Sequence, residues 1–584
     1  MLEFMTGASI PVTGVTQGRP EFLATKHLVS SSHYLATMAG LRMFELGGNA
    51  ADAGVAAGIA LNVIERHMTD FGGVAPIMFF RPGMARPETI AGVGCWPRRL
   101  TLERYLARYG GDMPTGAPRY VTPAAPDAWM TALARYGRLT LREVLRPARE
   151  LCEGFPVYGR LARMIAALAS RLREWPASAR VFLPNGRPPQ VGEVLVQREL
   201  GGLFGRLVDV EEGARSRGRE AAIMAARDEI YHGEIARAIA AHAARTGSEL
   251  DADDLAAYRV AVEPSVSSRY RDVEVHACGP WSQGPLLPMI LNLLQGENLT
   301  KLGQRSVAGL HFLIEAIKVA CADREAFFGD PEQVDVPIAG LLDPEYAAER
   351  RRLIDPARAC PRLPLPGDPW RYEGRSGPAG YIPAPAAGAP HPDTAFVCAM
   401  DADGNAFCAT PSDPGLSAPL VDDLGIIIST RGAQLWTTPG HPSVLAPRKR
   451  PRLTPNPAML LASGQAVMGF GCPGGDAQVQ AMAQVVSCVL DFGMNVQAAI
   501  EAPRVVSASF PSSFHPHPYE PGVVRIESRV PAEVRDGLAA LGHIVEALPD
   551  VAPTVAAVCA IRRRDGGVLE GGADPRRESY AAGW

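Results

Sequence analysis

A layered α/β body is the fold class that this sequence predicts, and three observations carry the prediction. Short apolar runs of strand length and longer runs of helical period are interspersed on both sides of a hairpin signal at residues 391–413. Hydrophobic residues make up 47% of the 584 and charged residues 21%, which allows a large core. No internal repeat is visible, so one compact body is expected, although length alone suggests about four domains.

Taken in order, residues 32–46 read as a helix, with Leu35, Ala39, Met43 and Leu46 at near-helical spacing and Gly47-Gly48 as its stop. Asn49 can cap a second helix over residues 50–63, whose Ala and Gly side chains allow close approach to a sheet. Residues 69–73 form a turn and 75–80 a buried strand. Helices follow over 127–136, 141–153 and 161–172, through most of 199–243, and briefly over 250–258. Residues 272–277 alternate like a strand, and 307–328 read as a long amphipathic helix carrying Leu310, Leu313, Ile317, Ala320 and Cys321. Residues 342–354 read as a charged helix with a solvated face. The Pro-rich run from Pro361 to Pro392 reads as a mobile surface linker.

Composition narrows the function. A net charge of −4 gives no reason to expect nucleic acid, and the small-residue helix with Asp52 inside it is no membrane span. The ten Cys show no ligand spacing, so no metal and no cofactor are expected; they read as reduced core thiols of a cytoplasmic protein. The first twenty residues lack a basic stretch followed by an apolar one, so no secretory signal is expected.

The chemistry concentrates at residues 391–413, HPDTAFVCAMDADGNAFCATPSD. Two apolar runs flank Asp403-Gly404, which predicts a hairpin closing there. In that register Thr394 faces Asp413, with Ser412 one step away. A Thr hydroxyl is a weak nucleophile until a base takes its proton, and the α-amino group of an N-terminal Thr, with a pKa of about 7.7–8.0, can be that base. Thr394 is internal, so the scheme needs cleavage of the Asp393–Thr394 bond. The same Oγ could make the cut, by attack on the Asp393 carbonyl, an N-to-O acyl shift and hydrolysis of the ester. The bland reading is a Thr that opens a strand. A second stretch adds to the case. Residues 466–469 read as a strand, Cys472-Pro473-Gly474-Gly475 as a tight turn, and Asp476 as the cap of a helix over 477–490. Paired glycines before a helix can present amides to a developing oxyanion, or form an ordinary strand-to-helix loop.

Together these motifs resemble the γ-glutamyltransferase family of N-terminal-nucleophile hydrolases. The resemblance spans nearly the whole chain: GGNAADAGVAAGIALNVIE at 47–65, HMTDFGG at 67–73, the hairpin, CPGGDAQVQ at 472–480, APR at 502–504 and GGADPRR at 571–577. It implies an αββα sandwich and self-cleavage into a large piece, 1–393 with its linker at 361–393, and a small piece, 394–584. The two pieces would stay associated, with a homodimer of such heterodimers as one assembly open to them. It implies Thr394 as nucleophile, Ser412 as its supporting hydroxyl and Gly474-Gly475 as the oxyanion hole, acting on a small-molecule amide.

The substrate-clamping positions depart from the family. Leu102 stands where an Arg would hold a γ-glutamyl carboxylate, Gln434 where an Asp would hold its ammonium, and Leu453-Thr454 where paired serines would be. Arg431, Arg98 and Arg99 remain as candidate anion binders, with Gln434 and Thr454 beside them. Three readings follow: an amidohydrolase for an acyl group other than γ-glutamyl, with oxamate-type compounds as one candidate; a true γ-glutamyltransferase or glutathione hydrolase; and an uncleaved, silent binding relative.

Overall fold

The computed structural model describes residues 18–384 and 394–584. Two seven-stranded sheets form its centre, antiparallel throughout. In spatial order the first comprises Tyr580–Gly583, His27–Ser31, Val397–Asp401, Ala406–Ala409, Ile77–Phe80, Glu88–Ile90 and Val262–Pro264. The second comprises Phe22–Ala24, Leu569–Ala573, Cys559–Arg563, Gln465–Gly471, Ala458–Ala462, Val273–Ala277 and Val266–Tyr270. Period-two alternation gives each inner strand two apolar faces. Phe396, Cys398, Met400 and Cys408 meet Met459, Leu461, Cys559 and Ile561 of the other sheet. Val397, Ala399, Phe407 and Ala409 point the other way, toward the helices of the N-terminal half. Helices Leu286–Gln295, Val307–Phe327 and Ala477–Leu490 cover the outer face of the second sheet. The result is the expected helix–sheet–sheet–helix sandwich. A small sheet, Val505–Ser507, Val523–Glu527 and Ile544–Leu548, leans on helix Val307–Phe327.

The helix Ala50–Ile64 shows how local sequence seats the hairpin. Asn49 and Asp52 form a capping box at its start, and the Asp401 carboxylate accepts from the Ala50 amide at 2.9 Å. Its small residues let it lie on the sheet. A Cβ at Gly54 would fall 2.0 Å from the Phe407 ring, and one at Gly58 would fall 2.3 Å from Trp129.

Four expectations are corrected. The hairpin pairs Val397 with Ala409 and Met400 with Ala406, one residue off the expected register. Its loop is 402–404, with Gly404 N donating to Asp401 O and Gly404 at φ 85. A three-residue loop ending in a left-handed glycine replaces the two-residue turn centred on Asp403-Gly404. Helix Val307–Phe327 is buried on nearly all sides from Leu310 onward, because its charges find partners: Glu315 with Lys318, Asp323 with Arg350, Arg324 with Asp476, and Glu325 with Arg452. Arg350 belongs to the segment read as a solvated helix, now Pro344–Arg351. The Pro-rich segment lies on the surface as expected, as far as it is described, to residue 384, but it is anchored there: Trp370 is buried and Gly367 N donates to Asp323 at 2.9 Å. Asp476 stands at the head of helix Ala477–Leu490 without capping it, since its carboxylate is taken by Arg324 and Ser513.

Candidate active site

The corrected register brings the two hydroxyls together. Ala395 N donates to Pro411 O at 2.9 Å, which sets Thr394 directly opposite Ser412, with 2.8 Å between Thr394 Oγ1 and Ser412 Oγ. Both residues are fully buried. The Ser412 backbone is pinned by paired hydrogen bonds to Val74. A Cβ at Gly73 would fall 2.4 Å from Ser412 O and one at Gly72 2.0 Å from Ile427 O, so the 69–73 turn must be small to reach this wall. Thr394 has φ 128, a strained value for a β-branched residue, costing about 1–3 kcal/mol.

Arg431 Nη2 donates to Ser412 Oγ at 2.5 Å. The guanidinium is buried, lies over the Phe514 ring at 5.3 Å, and donates through Nη1 to Gln434 Oε1 at 3.3 Å. Gln434 Nε2 in turn donates to Thr454 Oγ1 at 3.3 Å. Asp413 shapes the short turn Arg431–Gln434 that carries these groups: its carboxylate accepts from Ser429 Oγ, Thr430 N and Thr430 Oγ1 at 2.6–2.8 Å. A buried cation beside a hydroxyl pair can stabilise negative charge that develops there, more strongly than it would in water.

The Gly474-Gly475 loop is tied to the same cluster. Gln283 Nε2 donates to Thr454 O at 2.7 Å and to Gly475 O at 3.0 Å. Gly474 has φ 131 and Gly475 φ 57, conformations that other residues rarely adopt. Neither amide donates to an acceptor among the described residues, and both precede a helix whose dipole favours anions.

Thr394, Ser412, Arg431, Gln434, Thr454 and the glycine pair are thus one connected site. Arg98 and Arg99 are not joined to it. Arg98 pairs with Asp251 at 2.9 Å and with Asp253, and the exposed Arg99 lies 3.4 Å from Asp251. Their charges are answered by an acidic run some 150 residues away, which no local spacing reveals. Asp393, the other half of the expected cleavage bond, lies outside the described residues. Leu102 packs against the apolar cluster that contains Ala433 and Phe514.

Gln283 is a lone Gln in a turn, and no pattern in the sequence distinguishes it. Arg577, in the GGADPRR motif, donates to Thr394 O at 3.4 Å, a contact that the motif alone does not reveal. Burial depresses the Arg577 guanidinium to about 10 and pushes the Glu65 carboxyl beside it up to about 8. Among the described residues one group has metal-ligand chemistry: His311 and Glu315, one helical turn apart, with His543, which folding brings in from more than 200 residues away. Its two rings share a 2.8 Å hydrogen bond and Glu315 pairs with Lys318 at 2.5 Å, while His543 Nδ1 has no hydrogen-bond partner among the described residues.

A helix–sheet–sheet–helix sandwich with a buried threonine leading an inner strand has the architecture of the N-terminal-nucleophile hydrolases. The gamma-glutamyltranspeptidase family model matches residues 36–584, and the chain belongs to that family. It is an enzyme of the family's hydrolase and acyltransferase type. The chain is 32% identical to the glutathione hydrolase-like YwrD proenzyme of Bacillus subtilis (strain 168), over 96% of this chain and 99% of that one. It is also 32% identical to the acylase ACY 1 proenzyme of Pseudomonas sp. (strain SE83), over 90% and 88% respectively. The crystal structure of cephalosporin acylase from Bacillus halodurans superposes with a TM-score of 0.84 at 29% identity, covering 100% of this chain and 99% of that one.

Proposed function

We propose that the chain is a proenzyme that cuts itself between Asp393 and Thr394 and then hydrolyses a small acyl amide through an acyl-enzyme on Thr394. The observation that carries the proposal is the contact of Thr394 Oγ1 with Ser412 Oγ, beside buried Arg431 and the Gly474-Gly475 loop. In the first reaction Oγ1 attacks the Asp393 carbonyl, the C–N bond breaks, and the nitrogen takes the hydroxyl proton. Water then opens the ester, leaving a carboxylate on Asp393 and a free amine on Thr394. The strained φ at Thr394 favours this step, since cleavage releases the constraint. In the second reaction the new amine is the base, the hydroxyl attacks the substrate carbonyl, and the glycine amides hold the oxyanion.

The pieces 1–393 and 394–584 act as large and small subunits. They remain joined because strand Val397–Asp401 lies between His27–Ser31 and Ala406–Ala409, interleaving both pieces in one sheet. For the acyl group, Arg431 supplies a cation, while Gln434 cannot balance an ammonium. A carboxylate-bearing acyl group without an α-ammonium, as in a dicarboxylic acid monoamide, fits this pair better than γ-glutamyl. The acylase relative is consistent with hydrolysis of an acyl amide. The ten free thiols suit the cytoplasm, and no helix among the described residues is long and apolar enough to cross a membrane.

Three measurements test the proposal. A denaturing gel should show two bands without added protease, and Edman degradation of the small one should read Thr-Ala-Phe-Val. On the processed enzyme, kcat/KM should be higher for a glutaryl anilide than for the γ-glutamyl anilide. The reverse order would return the chain to the plain γ-glutamyltransferase reading. An intact chain with full activity would rule out the mechanism.

A further inference from the structure

We propose that the cavity of about 290 Å3 beside the Gly474-Gly475 loop seats the departing amine, and that it selects an apolar, ring-sized amine over a charged amino acid or peptide. The proposal rests on the acyl-enzyme reading above and adds the second half of the substrate.

Position comes first. The cavity is walled by Gly474 and Gly475 on one side, and on the others by Val506, Ala508, Phe510, Phe514, Leu548 and Val555. Phe514 is also the ring on which Arg431 is stacked, and Gly475 is tied through Gln283 to Thr454, so two walls of the cavity are in contact with the site although Thr394 and Ser412 do not themselves line it. Acyl transfer fixes the order of events: the amine leaves while the acyl group stays bound to Oγ1, and water then enters where the amine was. The acyl group therefore belongs on the closed side, where Arg431 is buried. The amine belongs on the side open to solvent. The cavity opens past Leu548, Thr554 and the Glu520–Arg525 ion pair, which are exposed or half-exposed.

Chemistry comes second. Apart from Thr554 at the exposed rim, the polar side chains in the wall are already engaged, Ser507 and Ser512 by neighbouring amides. Gln480 bonds both the N–H and the carbonyl of Ser507. Asp476 is held by Arg324 and Ser513. Arg525 is shared by Glu520 and Glu546. What remains facing the cavity is hydrocarbon and aromatic surface. A leaving dipeptide would bring a carboxylate into this space without a partner, which is costly; a ring would bury apolar area at no such cost. The volume matches a one- or two-ring group.

The test compares glutaryl amides of benzylamine and of glycylglycine on the processed enzyme. Benzylamine is the more basic amine, so intrinsic leaving ability runs against the expected order. We expect kcat/KM at least tenfold higher for the benzylamide, and this ratio to fall at least fivefold in Val506→Asp and in Leu548→Asp. Leu548 is at the rim, so the second variant keeps the test open if the first fails to fold. Equal values, or a ratio that neither variant moves, would overturn the proposal. A second readout separates it from the acyl assignment: fluorescence titration with the neutral 7-amino-4-methylcoumarin, which needs no turnover. Binding weakened at least fivefold in either variant supports the cavity even if no glutaryl amide is hydrolysed. No binding, or binding unchanged in both variants, overturns it.

Discussion

Placing a methyl group on Gly474 tests the oxyanion assignment most directly. Its Cβ would fall 2.8 Å from Ala556 Cβ and 3.0 Å from Ala556 Cα. Carbon atoms pack at about 3.5–4.0 Å, so the loop must move by about 0.7–1.2 Å, or Ala556 must yield by the same amount. A misplacement of about 1 Å in a reacting geometry costs on the order of 10²-fold. Loss of one oxyanion donor costs about 10²–10³ in kcat, or about 2.7–4 kcal/mol. The φ of 131 adds strain for any side chain. Gly474→Ala is therefore expected to lower kcat by roughly 10²–10³ with KM little changed. The assay is steady-state hydrolysis of a glutaryl anilide by processed enzyme. Ala556 itself sits at φ 70, where glycine is at ease. Ala556→Gly should thus be tolerated alone and should recover roughly tenfold of the lost kcat in the double variant, by removing the nearer of the two contacts. A Gly474→Ala effect confined to KM, or a double variant no better than the single, would refute the argument that this loop carries the oxyanion.

Other substitutions probe the remaining parts. Thr394→Ala should abolish both self-cleavage and turnover, read on a denaturing gel and with the anilide, because one hydroxyl serves both reactions. Ser412→Ala should slow both by roughly 10–10³-fold without abolishing either, since Ser412 orients and does not attack; a silent Ser412→Ala would contradict the 2.8 Å contact as a working one. Arg431→Ala should raise KM for glutaryl amides and shrink their advantage over uncharged acyl amides by at least tenfold, about 1.4 kcal/mol; no change would remove Arg431 from the acyl side. Glu65 gives a pH test. Burial raises its carboxyl from 4.5 to about 8, so the folded state holds a proton that the unfolded state releases. Its contribution to stability is full below pH 4.5 and declines as pH rises toward 8. Tm of the wild type should fall relative to Glu65→Gln between pH 5 and 8, and parallel curves would show that Glu65 does not titrate there.

Much of this protein was legible from residue order alone. Helices Leu141–Glu153 and Ala477–Leu490 begin and end where local pattern places them, and Asn49 caps Ala50–Ile64 as expected. Capping and periodicity act within one or two turns, so the information sits beside the element it shapes. The family motifs likewise disclosed the sandwich, and the Thr394–Ser412 pairing lay within one residue of the hairpin found. That one residue was decided by loop geometry, because Gly404 in the left-handed region closes a three-residue loop. The slip exchanges which residue faces Thr394.

Tertiary structure decided everything that depends on a remote partner. Arg98 and Arg431 look alike in sequence. One is claimed by Asp251 and Asp253, the other by Ser412 and Gln434. Helix Val307–Phe327 reads as amphipathic in sequence, yet Arg350, Arg452 and Asp476 come in from other segments and its charges are buried with them. Gln283 and Arg577 gain meaning only when folding brings them to Gly475 and Thr394. A charge or an amide takes its role from what stands within about 3 Å of it, a distance that residue order constrains only inside a helix, a strand pair or a turn.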